Sequence, residues 1–235
     1  KADYIICHDQ FAGIGGYQTY KKYKIPYSVF IHERVTAFNR PLIGNLFNIL
    51  ERTVLKNARK VFAVTEKVSD TIYKKHAIKA ITNYPGMDKI SEVPFSKKEN
   101  YVISVSFWDY GRRPLDYLNL AKYVDYKILI AGNWRIKEAK RKFIDKLKEE
   151  KLEEKVKLLE NLSESELPNL YDKSKFLVRF GYGEYGPAMA VIESIQHTLP
   201  VIINDELGTS DLVNKYKLGL VTHGIDYLSI KDFII

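Results

Sequence analysis

The chain has 235 residues, 46% of them hydrophobic and 28% charged, which is typical of a globular protein with one large or two modest cores. No run approaches the ~20 apolar residues of a membrane-spanning helix, and the first residues turn polar too soon for a signal peptide. Cys7 is the only cysteine, which excludes a disulfide framework and a cysteine-based metal site. We therefore expect a reducing, cytoplasmic setting.

The net charge of +8 is concentrated in the first part of the chain. Residues 1–95 carry 15 Lys and Arg against 8 Asp and Glu, whereas residues 96–235 carry 22 against 21. This asymmetry indicates two domains, the first of which either faces an anionic partner or has a solvated basic surface. Membrane headgroups, an anionic acceptor and nucleic acid all suit that charge. No recognisable nucleic-acid-reading motif accompanies it, so we expect no nucleic acid partner.

Strands and helices alternate along the first 95 residues. Apolar runs predict strands at 4–7, 26–31 and 60–64, and helical spacing predicts helices at 11–23, 41–57 and 69–75. The helix at 41–57 is expected to have one apolar side, made of Leu42, Leu46, Ile49, Leu50 and Leu55. Residues 83–88 combine Pro and Gly and predict a turn, and the polar stretch at about 89–99 is predicted to be a linker.

A second alternating pattern fills residues 96–235. The predicted strands are 101–107, 127–131, 156–159, 176–180 and 200–203, and the predicted helices are 114–124, 138–152, 164–174 and 188–197. Ser163-Glu-Ser-Glu166 is a capping-box pattern for the helix at 164–174. Such alternation with short connections predicts an α/β fold with a parallel sheet in each of two domains, 1–95 and 96–235.

The most informative stretch is residues 175–213. A buried strand leads into a loop with Gly181, Gly183 and Gly186, and an apolar helix that carries Glu193 follows. Ligands of parallel sheets lie at the carboxyl ends of the strands, and the N–H groups of a helix start bind anions. A carboxylate in an apolar helix is costly if it is buried without a partner, so Glu193 is either a binding residue or exposed.

This stretch resembles the C-terminal half of the GT-B glycosyltransferases, specifically the retaining family 4. The matching text is Glu184-Tyr-Gly-Pro-Ala-Met-Ala-Val-Ile-Glu193, followed by Thr198-Leu-Pro-Val-Ile. The second glutamate follows the first by nine positions here and by eight in the family, whose first glutamate would fall on Tyr185. Residues 1–33, 83–88 and 156–180 also resemble the family.

The resemblance implies two Rossmann-like domains facing across a cleft, with the acceptor on the N-terminal domain and the donor on the C-terminal one. It implies transfer of a sugar from a nucleotide-diphospho-sugar, with retention of configuration, to a glycan, lipid or protein acceptor. The alternative is a nucleotide-sugar binding protein without transfer activity. The family's opening βαβ unit and its final helix are not seen, so the chain is either a compact version or a fragment. The basic first domain would suit a peripheral position on the inner face of a membrane.

The resemblance also implies roles for particular residues. Glu193 would bind the ribose, and Arg112 or Arg113 would bind the diphosphate, which fixed cations stabilise as it leaves. The expected catalytic residues are Glu184, near the transferred sugar, and His32, near the acceptor or the sugar. The expected backbone contacts to the donor come from Gly186, Pro187, Ala188 and Met189. No cofactor and no metal are expected, since the family does not generally need a metal and the five histidines are scattered. For Arg112, Arg113, Glu184 and His32, the alternative is a solvated turn, loop or strand end.

Overall fold

The computed structural model describes residues 2–33, 41–86 and 88–235, without the side chains of 41–43. Met87, in the predicted turn at 83–88, lies outside the described residues. The chain divides into two compact units: unit 1 is Lys1–Pro85 with Tyr185–Pro187, and unit 2 is Gly86–Glu184 with Ala188–Ile235. The expected linker falls in unit 2, where the N–H of Ile90 donates to the Gln196 carbonyl at 2.9 Å. The domain boundary at residues 95 and 96 stays a prediction.

Unit 1 is built on a sheet of parallel strands in the order β1-β2-β3-β4. Its elements are β1 (Ile5–His8), α1 (Asp9–Tyr23), β2 (Tyr27–Ile31), α2 (Pro41–Asn57), β3 (Lys60–Ala63), α3 (Glu66–His76) and β4 (Ile81–Thr82). The predicted strands and helices are confirmed, and β4, only two residues long, was not predicted. The helix α3 starts earlier than predicted because Thr65 caps it, accepting from the N–H of Val68 at 3.1 Å.

The prediction that the apolar residues of α2 lie on one side is wrong. Leu55 is buried in the core of unit 1, whereas Leu46 and Ile49 are 71% and 65% exposed. Leu46 and Leu55 are nine residues apart, which at about 100° per residue places them on opposite sides of a helix. Leu42 has its side chain outside the described residues.

The buried side of α2 carries a charge. The side chain of Glu51 is fully buried, and its Oε2 lies 2.7 Å from Lys75 Nζ and 2.7 Å from His76 Nε2, both on α3. Removing one partner of a buried ion pair costs about 3–5 kcal/mol. The pairing therefore fixes which side of α2 faces α3.

Unit 2 is a parallel sheet in the order β10-β9-β8-β5-β6-β7, with hydrophobic clusters on both faces. Its elements are β5 (Tyr101–Val105), α4 (Pro114–Leu120), β6 (Lys127–Ala131), α5 (Lys137–Glu149), β7 (Val156–Leu159), α6 (Glu166–Lys173), β8 (Phe176–Arg179), α7 (Met189–Gln196), β9 (Val201–Asn204), α8 (Ser210–Tyr216), β10 (Gly219–Thr222) and α9 (Tyr227–Ile234). The predicted elements are confirmed, and α8, β10 and α9 were not predicted.

The predicted helices of unit 2 differ from the observed ones at their ends, and α5 stops at Glu149 instead of residue 152. The helix α4 stops at Leu120 because the next residues form tighter turns, in which Lys122 N–H donates to the Asn119 carbonyl at 3.0 Å. The helix α6 starts at Glu166, whose carboxylate accepts from the N–H of Ser163 at 2.7 Å. This bond is half of the predicted capping box.

The strand order of unit 2 reverses between β5 and β8. The chain runs from β5 out through β6 and β7, and then returns to β8 on the other side of β5. At such a reversal, the loops that follow two adjacent strands lead away from each other and leave a crevice at the carboxyl ends of the strands. Ligands of open parallel sheets bind in this crevice. The two loops here are residues 106–113, after β5, and residues 180–188, after β8.

The loop after β5 is fixed against the end of β6. Trp108 is fully buried, and its indole N–H donates to the Ala131 carbonyl at 2.9 Å. Gly132 has a φ of +110°, and a Cβ there would lie 2.1 Å from the Ser106 carbonyl oxygen. The two chain segments thus approach at a distance that only glycine permits. In the described part of the chain, no helix combines the length and apolar character that crossing a membrane requires.

Candidate active site

Arg112 and Glu184 meet where the strand order of unit 2 reverses. Arg112 ends a short turn, Tyr110–Arg112, which Asp109 caps by accepting from the Arg112 N–H at 3.1 Å. The guanidinium of Arg112 forms an ion pair with the Glu184 carboxylate. The structure therefore brings together two residues that were predicted separately, one for the diphosphate and one for the sugar.

Arg179, which was not predicted as a site residue, completes this group. It is the last residue of β8 and is buried, and its Nη2 donates to both carboxylate oxygens of Glu184 at 3.0 and 3.1 Å. Burial lowers the pKa of the Arg179 guanidinium, and the Tyr117 hydroxyl and Asp109 act against that shift. Arginine nevertheless stays charged in proteins. The only sequence signal was an arginine inside the apolar run 176–180.

Buried polar groups fix the loop that carries Glu184. The hydroxyl of Tyr117 accepts from the Phe180 N–H at 2.9 Å, and burial raises the pKa of that hydroxyl. Asn204 bonds both backbone groups of Gly181, at 3.0 and 2.9 Å. The Glu184 carbonyl accepts from the Gly208 N–H at 2.6 Å. The backbone at Gly181 and at Glu184 is thus bonded to β9 and to the residues after it.

Arg113 takes a different course from its neighbour. Its backbone is left-handed, with a φ of 53°, and its Nε donates to Asp116 at 2.8 Å. Tyr227 donates to the same carboxylate at 2.6 Å, and burial and that bond raise the pKa of Tyr227. A cavity of about 170 Å³ lies beside Arg113 and Lys142. The structure thus pairs Arg113 with Asp116, whereas it pairs Arg112 with Glu184.

Glu193 belongs to a second polar group in unit 2. It lies half-buried on α7, and its Oε2 accepts from the Tyr171 hydroxyl at 2.8 Å. Tyr171 is almost fully buried, and burial, with the Glu193 charge, raises its pKa, so the hydroxyl remains a donor. Tyr171 was not predicted as a site residue.

The surroundings of Tyr171 hold its ring in place. The ring stacks on His197 at 5.3 Å, and His197 Nδ1 lies 2.8 Å from an Asp172 oxygen. The buried amino group of Lys98 donates to the Asp172 carbonyl at 3.1 Å, and burial lowers the pKa of that amino group. Glu193 therefore has one oxygen fixed by a rigid donor.

The expected backbone contacts, residues 186–189, are divided between the units. Ala188 and Met189 begin α7 in unit 2, with Ala188 buried and Met189 exposed. Gly186 and Pro187 belong to unit 1. A Cβ on Gly186 would lie 2.6 Å from the His32 carbonyl oxygen.

His32 follows β2 in unit 1 and is half-buried. Its ring nitrogen Nε2 lies 2.8 Å from Nδ1 of His8, and its backbone N–H donates to the Asp9 carboxylate at 3.1 Å. One imidazole donates and the other accepts in such a bond, so each ring helps to orient the other. Across residues 2–33, 41–86 and 88–235, no group of three His, Cys, Asp or Glu is placed to hold a metal ion.

Solved structures share this fold. HepE from Anabaena in complex with UDP matches with a TM-score of 0.82 at 15% identity, over 99% of this chain and 68% of that chain. Sucrose-phosphate synthase from Thermosynechococcus elongatus matches with a TM-score of 0.76 at 16% identity, over 99% and 63%. The lipopolysaccharide outer core galactosyltransferase WaaB matches with a TM-score of 0.75 at 17% identity, over 99% and 65%. The predicted GT-B class, with two parallel Rossmann-like sheets, is confirmed.

The sequence identifies the family within that class. The family model described as glycosyl transferases group 1 matches residues 87–234, more than half of the chain. The chain therefore belongs to the group 1 glycosyl transferases and is a glycosyltransferase. A comparison with curated protein sequences finds no match.

The bond between Tyr171 and Glu193 is open to a direct test of stability. We expect Tyr171→Phe to lower the free energy of unfolding by about 1–2 kcal/mol, because the lost bond is assisted by the carboxylate charge. Tyr126→Phe is the matched control, since its hydroxyl donates to an uncharged carbonyl, that of Ile234, at 3.3 Å. Urea denaturation of the three proteins measures both losses. Equal losses would contradict the assignment of a charge-assisted bond.

Proposed function

We propose that the chain transfers a sugar from a nucleotide-diphospho-sugar to an acceptor, with retention of configuration, as a member of family 4. The observation that carries this proposal is the pair Arg112–Glu184 at the strand-order reversal of unit 2. A cation and a carboxylate meet there, where ligands of this sheet type bind. HepE from Anabaena has been solved in complex with UDP and with UDP-glucose, which supports a nucleotide-sugar donor.

The proposed site residues of unit 2 each have a chemical task. Arg112 binds the diphosphate, and Glu193, with Tyr171 holding one oxygen, accepts from the ribose hydroxyls through the other. Ala188 and Met189, at the start of α7, contribute backbone N–H groups to the donor. Glu184 stabilises the positive charge that develops on the sugar.

The bonds that change are those at the anomeric carbon. The bond from that carbon to the diphosphate oxygen breaks, the acceptor oxygen bonds to the same face, and the departing diphosphate takes the acceptor proton. Negative charge grows on the diphosphate during this step, and the fixed guanidinium of Arg112 stabilises it. We propose that this chemistry needs no metal cofactor.

Unit 1 is proposed to serve the acceptor, which is a glycan, a lipid or a protein. His32 is the residue proposed to contact the acceptor or the transferred sugar. Its bond to His8 supports this role, because that bond orients the His32 ring.

A nucleotide-sugar binding protein without transfer is the second candidate. The observation that favours it is the double pairing of Glu184 with Arg112 and Arg179, which occupies the carboxylate proposed for catalysis. Release of free nucleotide from UDP-, GDP- or ADP-sugars separates the two candidates. Binding without release, with every acceptor class present, would support the second.

The two adjacent arginines should differ in ligand binding. We expect Arg112→Ala to weaken the binding of a nucleoside diphosphate by about tenfold or more and to leave the bare nucleoside unaffected, because charge-assisted bonds to phosphate are lost. Arg113→Ala, the matched control, removes a cation paired with Asp116 and should change neither ligand by more than about twofold. Calorimetric titration with UDP, GDP, ADP and their nucleosides measures both. Equal losses for the two variants would contradict the assignment of Arg112.

The two glutamates should separate by kinetics. Glu193→Gln should mainly raise the donor KM, because the ribose barely changes along the reaction. Glu184→Gln should mainly lower kcat, because its interaction with the sugar is strongest in the transition state. Initial rates against donor concentration measure the split, with circular dichroism as the folding control. An unchanged kcat for Glu184→Gln would remove Glu184 from the catalytic assignment.

We also propose that the enzyme works in the cytoplasm, bound peripherally to the inner face of a membrane. The outward side of α2 supports this, since Leu46 and Ile49 are exposed there and Arg52 and Lys56 follow on the same side at helical spacing. Arg59 and Lys60 are also exposed. Each such cation contributes about 1 kcal/mol near an anionic surface.

Vesicle binding tests this proposal. The protein should sediment with phosphatidylserine-containing vesicles, and less so as salt increases, because salt screens the attraction. Arg52→Gln with Lys56→Gln should reduce sedimentation several-fold, whereas Lys74→Gln with Lys79→Gln removes the same charge from another exposed part of unit 1 and should not. Sedimentation that both pairs reduce equally, or that never occurs, counts against a membrane contact through α2.

A further inference from the structure

The same N–H groups of the Arg112 guanidinium cannot bind two anions at once. In the structure this group is paired with Glu184, whereas the proposed function requires it for the donor diphosphate. We propose that the donor diphosphate displaces Glu184 from Arg112, and that Arg179 keeps Glu184 in place during the exchange. Glu184 is then an internal substitute for the diphosphate, and Arg179 is its positioning residue. This inference rests on the proposed function and concerns the control of the same site.

The burial of the two arginines decides which ion pair opens. The side chain of Arg112 is 24% exposed, whereas that of Arg179 is 4% exposed. Separating Arg179 from Glu184 would break both hydrogen bonds between a buried guanidinium and its carboxylate, which is costly. Separating Arg112 leaves a partly solvated guanidinium that the diphosphate then neutralises.

The bonding pattern favours the same choice. Arg179 donates from one nitrogen to both oxygens of Glu184 and also donates to the Phe180 carbonyl. The backbone of Glu184 is bonded to Gly208, so the carboxylate has little room to follow Arg112. Arg112 ends the short turn Tyr110–Arg112, and its side chain is more exposed than that of Arg179.

The exchange would couple donor binding to the readiness of the catalytic carboxylate. Without donor, Glu184 neutralises Arg112 and lowers its affinity for any phosphate group. When the diphosphate takes Arg112, the edge of Glu184 that faced Arg112 becomes available to the transferred sugar. A ligand without a diphosphate would leave Glu184 paired.

Replacing Glu184 by glutamine tests the competition directly. The ligand for this test is whichever of UDP, GDP or ADP the wild type binds best. We expect Glu184→Gln to bind this diphosphate about threefold to tenfold more tightly, because the internal anion is gone. The affinity for the matching nucleoside should be unchanged. Glu150→Gln is the matched control. Glu150 is 15% exposed against 18% for Glu184 and also pairs with two cations, Lys122 and Lys146, so its loss should change neither ligand.

A double variant assigns the gain to Arg112. In Arg112→Ala, adding Glu184→Gln should give no further gain in diphosphate affinity. A gain that persists without Arg112 would overturn the exchange, because it would then be a general effect of charge. Unchanged or weaker diphosphate binding by Glu184→Gln would also overturn the exchange. In that case the proposed function still stands, provided that the wild type binds the diphosphate. If the wild type binds none of the three diphosphates, the proposed donor site and the exchange both fall.

A second test is a titration of the wild-type protein, for which Arg112→Lys is needed only to assign the resonance. The side-chain ¹⁵N–¹H resonance of Arg112, assigned with Arg112→Lys, should shift when the nucleoside diphosphate saturates the protein, whereas that of Arg179 should stay. An unshifted Arg112 resonance at saturation, or a large shift of Arg179, would show that the exchange does not take place.

Discussion

A guanidinium buried at the end of a central strand requires an anion close by, because an unpaired charge in the interior costs several kcal/mol. In unit 2 that charge is Arg179, and the anion that it bonds is Glu184. The requirement determines the path of the loop after β8, since the loop has to return its carboxylate to the strand it has just left. The glycines of the loop and the bonds from Asn204 make that return possible.

The two carboxylates of unit 2 share one design. Each has a buried donor behind it, Arg179 for Glu184 and Tyr171 for Glu193, and Glu184 is also paired with Arg112 from the loop after β5. The donors lie on a strand and a helix, β8 and α6, which are more rigid than loops. Carboxylates held in this way are oriented before a ligand arrives, so binding does not have to order them.

Much of the fold followed from the sequence. Short apolar runs alternating with helical spacing indicated eight of the ten described strands, all but β4 and β10, and the glycine loop before Glu193 indicated a ligand site at the carboxyl ends of the strands. The donors Arg179 and Tyr171 did not follow, because periodicity indicates that a side chain is buried but not which loop supplies its partner. Of the unpredicted elements, α8 begins at Ser210, near the end of the stretch 175–213 that resembled a known family, and β10 and α9 lie beyond that stretch.

The helix α2 shows the same limit and has a mechanical consequence. Its apolar residues at helical spacing suggested a side turned inwards, but Glu51 faces α3 and Leu46 faces out. Rolling the helix about its long axis to hide Leu46 and Ile49 would pull the Glu51 carboxylate away from both of its cations. The ion pairs of Glu51 therefore set the rotation of α2 about its axis. Because of them, the apolar side chains of Leu46 and Ile49 stay exposed on the surface, although packing alone would have buried them.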